Sequence, residues 1–272
     1  MLLVFKLAHS SSKPLFRLSL AVILLCSPLL AKAQDQSFPV PPATGVLGAQ
    51  DASAVAELNA YIQAVSAANW QGMEGSGTLT FPDGDTHEST LYLLGSNQSR
   101  LDIAMDSGTR SLRIQGTQGA FQDEQGNQGV LIPAASAAGI VVFPGIWLYT
   151  ATPSMLSLHD QGTSGVFGPS LHRITYEYAL NTQDSSVVST HATDLYFDPN
   201  THLLLFSTDL VTFGNTSGQT FLRMTTYGSY QPFNGVLIPT SISQYLDEQQ
   251  EWTLQLTQVT LNSNFPASTF SF

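Results

Sequence analysis

The chain has 272 residues, with nine Lys+Arg against 20 Asp+Glu. Residues 1–33 hold Lys6, Lys13, Arg17 and Lys32 and no acid, so the remaining 239 keep five arginines, no lysine and all 20 acids. A protein that tracks phosphates needs clustered Lys and Arg, so nucleic-acid binding is excluded and attraction to anionic lipid headgroups is disfavoured.

Residues 1–33 read as an export signal. A basic region (Lys6, Lys13, Arg17) precedes Leu18–Leu30, an apolar stretch broken by Pro28, and Ala31-Lys32-Ala33 supplies small residues before Gln34. Thirteen apolar residues fall short of the roughly 20 that a spanning helix needs, so the chain is expected to be periplasmic or secreted and not integral to a membrane. The one cysteine, Cys26, lies in this leader. Leu25 stands before it, where a lipid-attachment signal would carry a small residue. The exported part then has no thiol to oxidise. Residues 34–50 contain three prolines and no apolar period, which predicts a flexible tether, and residues 51–272 read as one domain.

Asp51 is a good N-cap, and Val55, Leu58, Ile62 and Val65 recur at helical spacing, so a helix of about four turns is expected to end near Asn69. The period then changes to two. Strand-like runs at 77–81, 86–94, 99–105 and 110–115 are separated by Pro82-Asp83-Gly84, Gly95-Ser96-Asn97 and Asp106-Ser107-Gly108, and Gly126 and Gly129 mark a further hairpin tip. Pro133–Pro153 has no charge and many large apolar residues, which predicts a short helical segment or a flap. Further runs follow at 171–180, 190–197, 202–211, 220–230, 236–246 and 252–261. In the last, Trp252, Leu254 and Leu256 share one face and Val259 and Leu261 fall on the other, so a β-bulge is expected near Thr257-Gln258. The fold class is mainly β with a few helices: a curved antiparallel half-barrel of about ten or eleven strands, closed by the N-terminal helix and the central segment.

Catalytic patterns are sparse. No G-x-S-x-G, H-E-x-x-H or phosphate loop is present. Asp106-Ser107-Gly108 resembles half of an aspartic-protease motif, but such a site needs a second carboxylate to share a proton, and the triplet reads as a hairpin turn. The histidines are scattered. His191 and Asp194, three apart in a strand, point to opposite faces, and His202, after the turn Asp198-Pro199-Asn200, is expected to be exposed. No spacing gathers metal ligands, and no cofactor is implied. What remains is an apolar inventory. Phe143, Ile146, Trp147, Leu148 and Tyr149 either fill the core or line the mouth of a ligand cavity.

The order of elements resembles the periplasmic lipoprotein-sorting carrier family (LolA/LolB-like). The resemblance rests on the leading helix before Trp70 and Gly77-Thr78-Leu79-Thr80-Phe81 and on Ser99-Arg100-Leu101-Asp102-Ile103. It continues in Leu195-Tyr196-Phe197-Asp198-Pro199-Asn200-Thr201-His202-Leu203-Leu204 and Asn234-Gly235-Val236-Leu237-Ile238-Pro239. Its last part runs from Trp252-Thr253-Leu254-Gln255-Leu256 through Leu261-Asn262 to Phe270. It implies a half-open antiparallel barrel closed by helices, sheltering a hydrophobic or acylated ligand without catalysis. Arg100 would be a sheet arginine bonded to the lid. Two other readings stand beside it: an interaction or envelope-sensor module with a filled cavity that meets another envelope protein, and a hydrolase.

Overall fold

The computed structural model describes residues 48–67, 70–95, 98–115, 118–131, 156–165, 170–180, 189–212 and 219–271. One helix, α1 (Ala52–Ala64), opens this part of the chain. Its buried stripe is Ala54, Glu57, Leu58 and Tyr61, with Val55 and Ile62 at its margins. It stops short of Asn69 because Ser66 adopts a left-handed φ of 56°. Asp51 stands at the N-cap position but makes no side-chain cap. Its carboxylate instead accepts from the Asp160 amide at 2.9 Å, tying the helix start to the sheet.

Thirteen strands follow among the described residues: β1 (Gly72–Thr80), β2 (Thr86–Leu94), β3 (Gln98–Met105), β4 (Gly108–Gln115), β5 (Gln118–Gln122), β6 (Gln128–Leu131), β7 (Leu156–Ser164), β8 (Leu171–Leu180), β9 (Ser189–Phe197), β10 (Leu204–Thr212), β11 (Thr220–Phe233), β12 (Val236–Leu246) and β13 (Gln249–Leu261). They form one antiparallel, curved sheet in the order β6-β5-β4-β3-β2-β1-β13-β12-β11-β10-β9-β8-β7, open between β6 and β7. The count exceeds the expected ten or eleven. The hairpin around Gly126 contributes the short β5 and β6. In β7, polar residues follow Leu156 and Leu158, and its register slips between Asp160 and Thr163, so no clean alternation marks it. The expected central helical segment lies outside the described residues.

Turn chemistry fixes the hairpins. Asp106-Ser107 joins β3 to β4, as the turn reading expects, with Met105 paired to Gly108. Asn234-Gly235 and Asp247-Glu248 both take positive φ at their two central positions, the conformation that matches the right-handed twist of the flanking strands. The expected bulge is present. Leu256 pairs with Gly77 and Gln258 with Ser76, so Thr257 is the extra residue. It returns Val259 and Leu261 to the core face shared by Leu254 and Leu256.

Residues directly opposite one another on paired strands share a face. The face toward α1 carries Met73, Leu91, Leu93, Ile103, Leu158, Ile174, Tyr176, Leu195, Phe197, Tyr227, Ile242 and Leu254, which join the helix in a single core cluster. That cluster draws on β1–β3 and on β7–β13. The free edge of β7 is occupied by residues 49–51: the Leu158 amide donates to the Ala49 carbonyl and the Asp51 amide to the Leu158 carbonyl. Edge pairing of this kind protects a strand from adding foreign chains.

The bulge also sets a local steric limit. A Cβ on Gly77 would lie 2.0 Å from the Gln255 carbonyl oxygen, a backbone atom that cannot rotate away. Gly77→Ala is therefore expected to lower stability by about 1–3 kcal/mol, read as a drop in the urea midpoint. An unchanged midpoint would show that the bulge yields freely.

Candidate functional site

Apart from the Arg110–Glu124 pair on the β4 side, two polar centres interrupt the largely apolar inner face of the curl. The first lies on β9–β11. Asp209 and Arg223 are directly opposite on β10 and β11. His191 on β9 lies diagonally from Asp209, two residues from Asp209's partner Thr193. All three are buried and turned toward the helix side. Arg223 donates through Nε at 2.9 Å and through Nη2 to the two Asp209 oxygens, and His191 Nε2 is 2.7 Å from Asp209 Oδ2. Burial by itself would raise the Asp209 carboxyl, but Arg223 and His191 outweigh it and hold the group below the usual carboxylate range. Tyr176, Tyr178 and Tyr227 surround this centre, and burial pushes all three phenols upward, which keeps them neutral. The nearby Ser207 hydroxyl lies 3.4 Å from the Tyr227 hydroxyl.

The second polar place is where α1 meets the sheet. Glu57, the one charged residue of the helix, is 8% exposed. Its Oε2 is 3.1 Å from His172 Nδ1 on β8, and its Oε1 is 2.9 Å from His202 Nδ1 in the β9–β10 turn. His172 Nε2 reaches Asp160 Oδ1 at 3.0 Å. His202 keeps a side chain about 40% exposed, as the turn reading expects, but its Nδ1 is also bonded to the helix carboxylate. His191 and Asp194 do diverge, His191 to Asp209 and Asp194 to Arg173. Among the described residues no group of three His, Cys, Asp or Glu could hold a metal ion.

The face away from the helix is polar in a different way. Asp194 accepts from Arg173 at 2.9 and 2.6 Å and from Thr175, and burial raises its carboxyl above the ordinary value despite these donors. Tyr196, stacked on Phe206, is pushed up to about 12 by burial. Farther along the sheet, Leu101 and Ile103 pack on the core, so Arg100 and Asp102 between them face the other way. Arg100 Nε donates to Asp102 Oδ1 at 2.7 Å and Nη1 to the Thr269 carbonyl at 3.2 Å. Arg113, directly opposite Arg100, donates to the Ser271 carbonyl. Phe265 meets Tyr92 and Phe270 edge-on. The segment that Arg100 bonds is therefore a C-terminal strap across β2–β4, where the resemblance implied a lid on the cavity side. Strand parity decides this, because Leu101 and Ile103 claim the inner face. Next to the strap, Ser76, Thr78, Glu88, Thr90, Asp102 and Thr109 line a polar cleft of about 500 Å³. Phe143, Ile146, Trp147, Leu148 and Tyr149 lie outside the described residues.

No family model and no curated protein matches the chain. Solved structures to which it is similar include an outer-membrane lipoprotein-sorting protein domain from Vibrio parahaemolyticus, at 8% identity and a TM-score of 0.49. A LolA superfamily protein from Nitrosomonas europaea has 11% identity and a TM-score of 0.49. A DUF1329 family protein from Desulfovibrio piger has 9% identity and a TM-score of 0.39. Each alignment covers 80% of this chain and 97% of the other.

The buried charge centre escaped the sequence reading because its members are 14 and 18 residues apart and meet only through sheet register. The available signal was a lone charge in each of two otherwise uncharged strands, Asp209 in β10 and Arg223 in β11. Removing one partner strands the other, so Asp209→Ala is expected to cost about 3–5 kcal/mol, while Asp209→Leu with Arg223→Met recovers most of that loss. Urea denaturation of the three proteins reads the difference. Equal losses in the single and double variants would contradict it.

Proposed function

We propose that the protein is a non-enzymatic envelope carrier, periplasmic or secreted, that shelters a hydrophobic or acylated ligand in the curl between α1 and the sheet. The observation that carries this reading is an apolar inner face on a sheet whose edge strands β6 and β7 do not pair with each other. A closed barrel must break ladder hydrogen bonds to widen. An open curl widens by flexing between strands and keeps every ladder bond, so an acyl chain can be admitted at little backbone cost. The cover is only one helix deep among the described residues, and Glu57 is the one buried charge that anchors it to the sheet. Phe143, Ile146, Trp147, Leu148 and Tyr149 are proposed as the apolar side chains that complete the cover and touch the ligand. Arg100 is proposed to hold the C-terminal strap and to lie outside the cavity.

A second reading has a specific observation in its favour. Ile174, Tyr176, Leu195, Phe197 and Leu204 have no exposed surface, as in a curl already filled by its own side chains. Such a protein would act as an interaction or sensor module that meets another envelope protein.

Titration with a fluorescent fatty-acid probe, alongside native mass spectrometry of gently purified protein, separates the two. The carrier binds the probe saturably at about one per chain and retains acyl species, and Trp147→Ala changes probe affinity. Loss of stability in Trp147→Ala with unchanged probe binding would assign that residue to plain core. No saturable binding to the wild type would overturn the carrier reading and favour the filled module.

A further inference from the structure

Both ring nitrogens of His172 lie on carboxylate oxygens, Nδ1 on Glu57 at 3.1 Å and Nε2 on Asp160 at 3.0 Å. An ionised carboxylate only accepts, and a neutral imidazole has one N–H, so both bonds form only when His172 carries the second proton. His202 differs. Only its Nδ1 faces Glu57, and a neutral ring with the proton on Nδ1 makes that bond equally well. Of the two histidines on the helix carboxylate, His172 is the one whose bonding changes with its charge.

We propose that Glu57, His172 and Asp160 form a proton-operated latch, which pins α1 over the inner face while His172 is charged and loosens it as the pH rises. Titratable groups face this node from each element packed against it. From the helix and its cap come Glu57 and Asp51, the latter bonded to the Asp160 amide and 4.0 Å from His159. β7 contributes Asp160 and His159, and the β9–β10 turn contributes His202 with Asp198 beside it. Arg173, next to His172, points to the opposite face and is held by Asp194. Among the described residues the node is therefore rich in carboxylates, and the arginines that share its face, Arg223 and Arg110, are held by Asp209 and Glu124.

The titration runs in a definite direction. Burial works against the charged ring, but the bonds to Asp160 and Glu57 outweigh it and raise His172 above 6.5. A group whose folded value is raised contributes stability that is complete below the unfolded value and is lost as pH climbs through the folded one. Asp160 is lowered, with a Ser53 bond as the largest cause, so it stays ionised well into acid. The latch is closed in mildly acidic surroundings and opens toward alkaline pH. On deprotonation a ring lone pair faces a carboxylate at one of the two contacts, which weakens the tie between α1 and the sheet, while the bonds of His202, Asp51 and Ser53 and the apolar stripe remain.

The use of the latch rests on the carrier reading, because loosening α1 opens the curl, but the latch itself does not. The test is hydrogen exchange of the α1 amides in the full chain between about pH 6 and about pH 8.5, corrected for intrinsic exchange, with NMR titration of His172 in parallel. Opening of α1 is expected to increase by up to about tenfold for each unit by which His172 is raised. Its midpoint should coincide with the His172 titration, while β12 amides stay unchanged. Asp160→Asn should move that midpoint to lower pH, and His172→Gln should remove the pH dependence. Protection of α1 that ignores pH in the wild type, or a pH dependence that survives in His172→Gln, would overturn the latch. Should His172→Gln fail to fold, the Asp160→Asn midpoint decides alone, and an unmoved midpoint refutes the proposal. Absence of fatty-acid probe binding together with pH-dependent opening would refute the carrier and leave the latch standing.

Discussion

A helix of 13 residues is about 20 Å long. The ten neighbouring strands from β3 to β7 that share its core cluster would span roughly 43 Å if laid flat. One short helix can unite so wide a sheet only if the sheet curls around it, and the rest of the architecture serves that geometry. The Thr257 bulge keeps Leu254, Leu256, Val259 and Leu261 on the inside of the curl. Gly77 lets β13 approach closely at the same point. Residues 49–51 occupy the exposed edge of β7, which closing the barrel would otherwise have covered.

The sparse charge is distributed to the same end. Each of the five arginines after residue 33 is committed to a partner in or beside the sheet. Arg100 holds Asp102, Arg110 holds Glu124, Arg173 holds Asp194, Arg223 holds Asp209, and Arg113 holds the Ser271 carbonyl. None is left to draw the protein to an anionic surface, and the unpaired acids give it a negative exterior. Association with a membrane would then rest on apolar contact rather than on charge. Buried ion pairs add little net stability compared with apolar packing. Their use here is to fix which face each strand presents, since a register slip of one residue would bury an unpaired charge.

The architecture was largely legible in the sequence, because alternation and turn chemistry are local. The Pro82-Asp83-Gly84 turn, the Asp106-Ser107 turn and the parity switch in 252–261 all identified real features. β7 was not legible, since His159, Asp160 and Gln161 interrupt its alternation and its register is irregular. Polar groups whose partners are remote were not legible either. Glu57 meets His172 and His202 across 115 and 145 residues, and no spacing rule reports contacts of that range. Arg100 shows how parity can correct a resemblance: its neighbours Leu101 and Ile103 decide where it points.

On the proposed carrier reading, α1 is a movable cover on an open curl. The most direct measurement is the distance between spin labels on the helix and on the sheet, placed by Asn59→Cys and Glu88→Cys, both exposed positions. After residue 33 the chain has no cysteine of its own to compete for label. Pulsed electron–electron double resonance should give one narrow separation in the free protein and a second, longer one when a saturating fatty acid is bound. A single separation that stays unchanged with fatty acid bound would contradict the account.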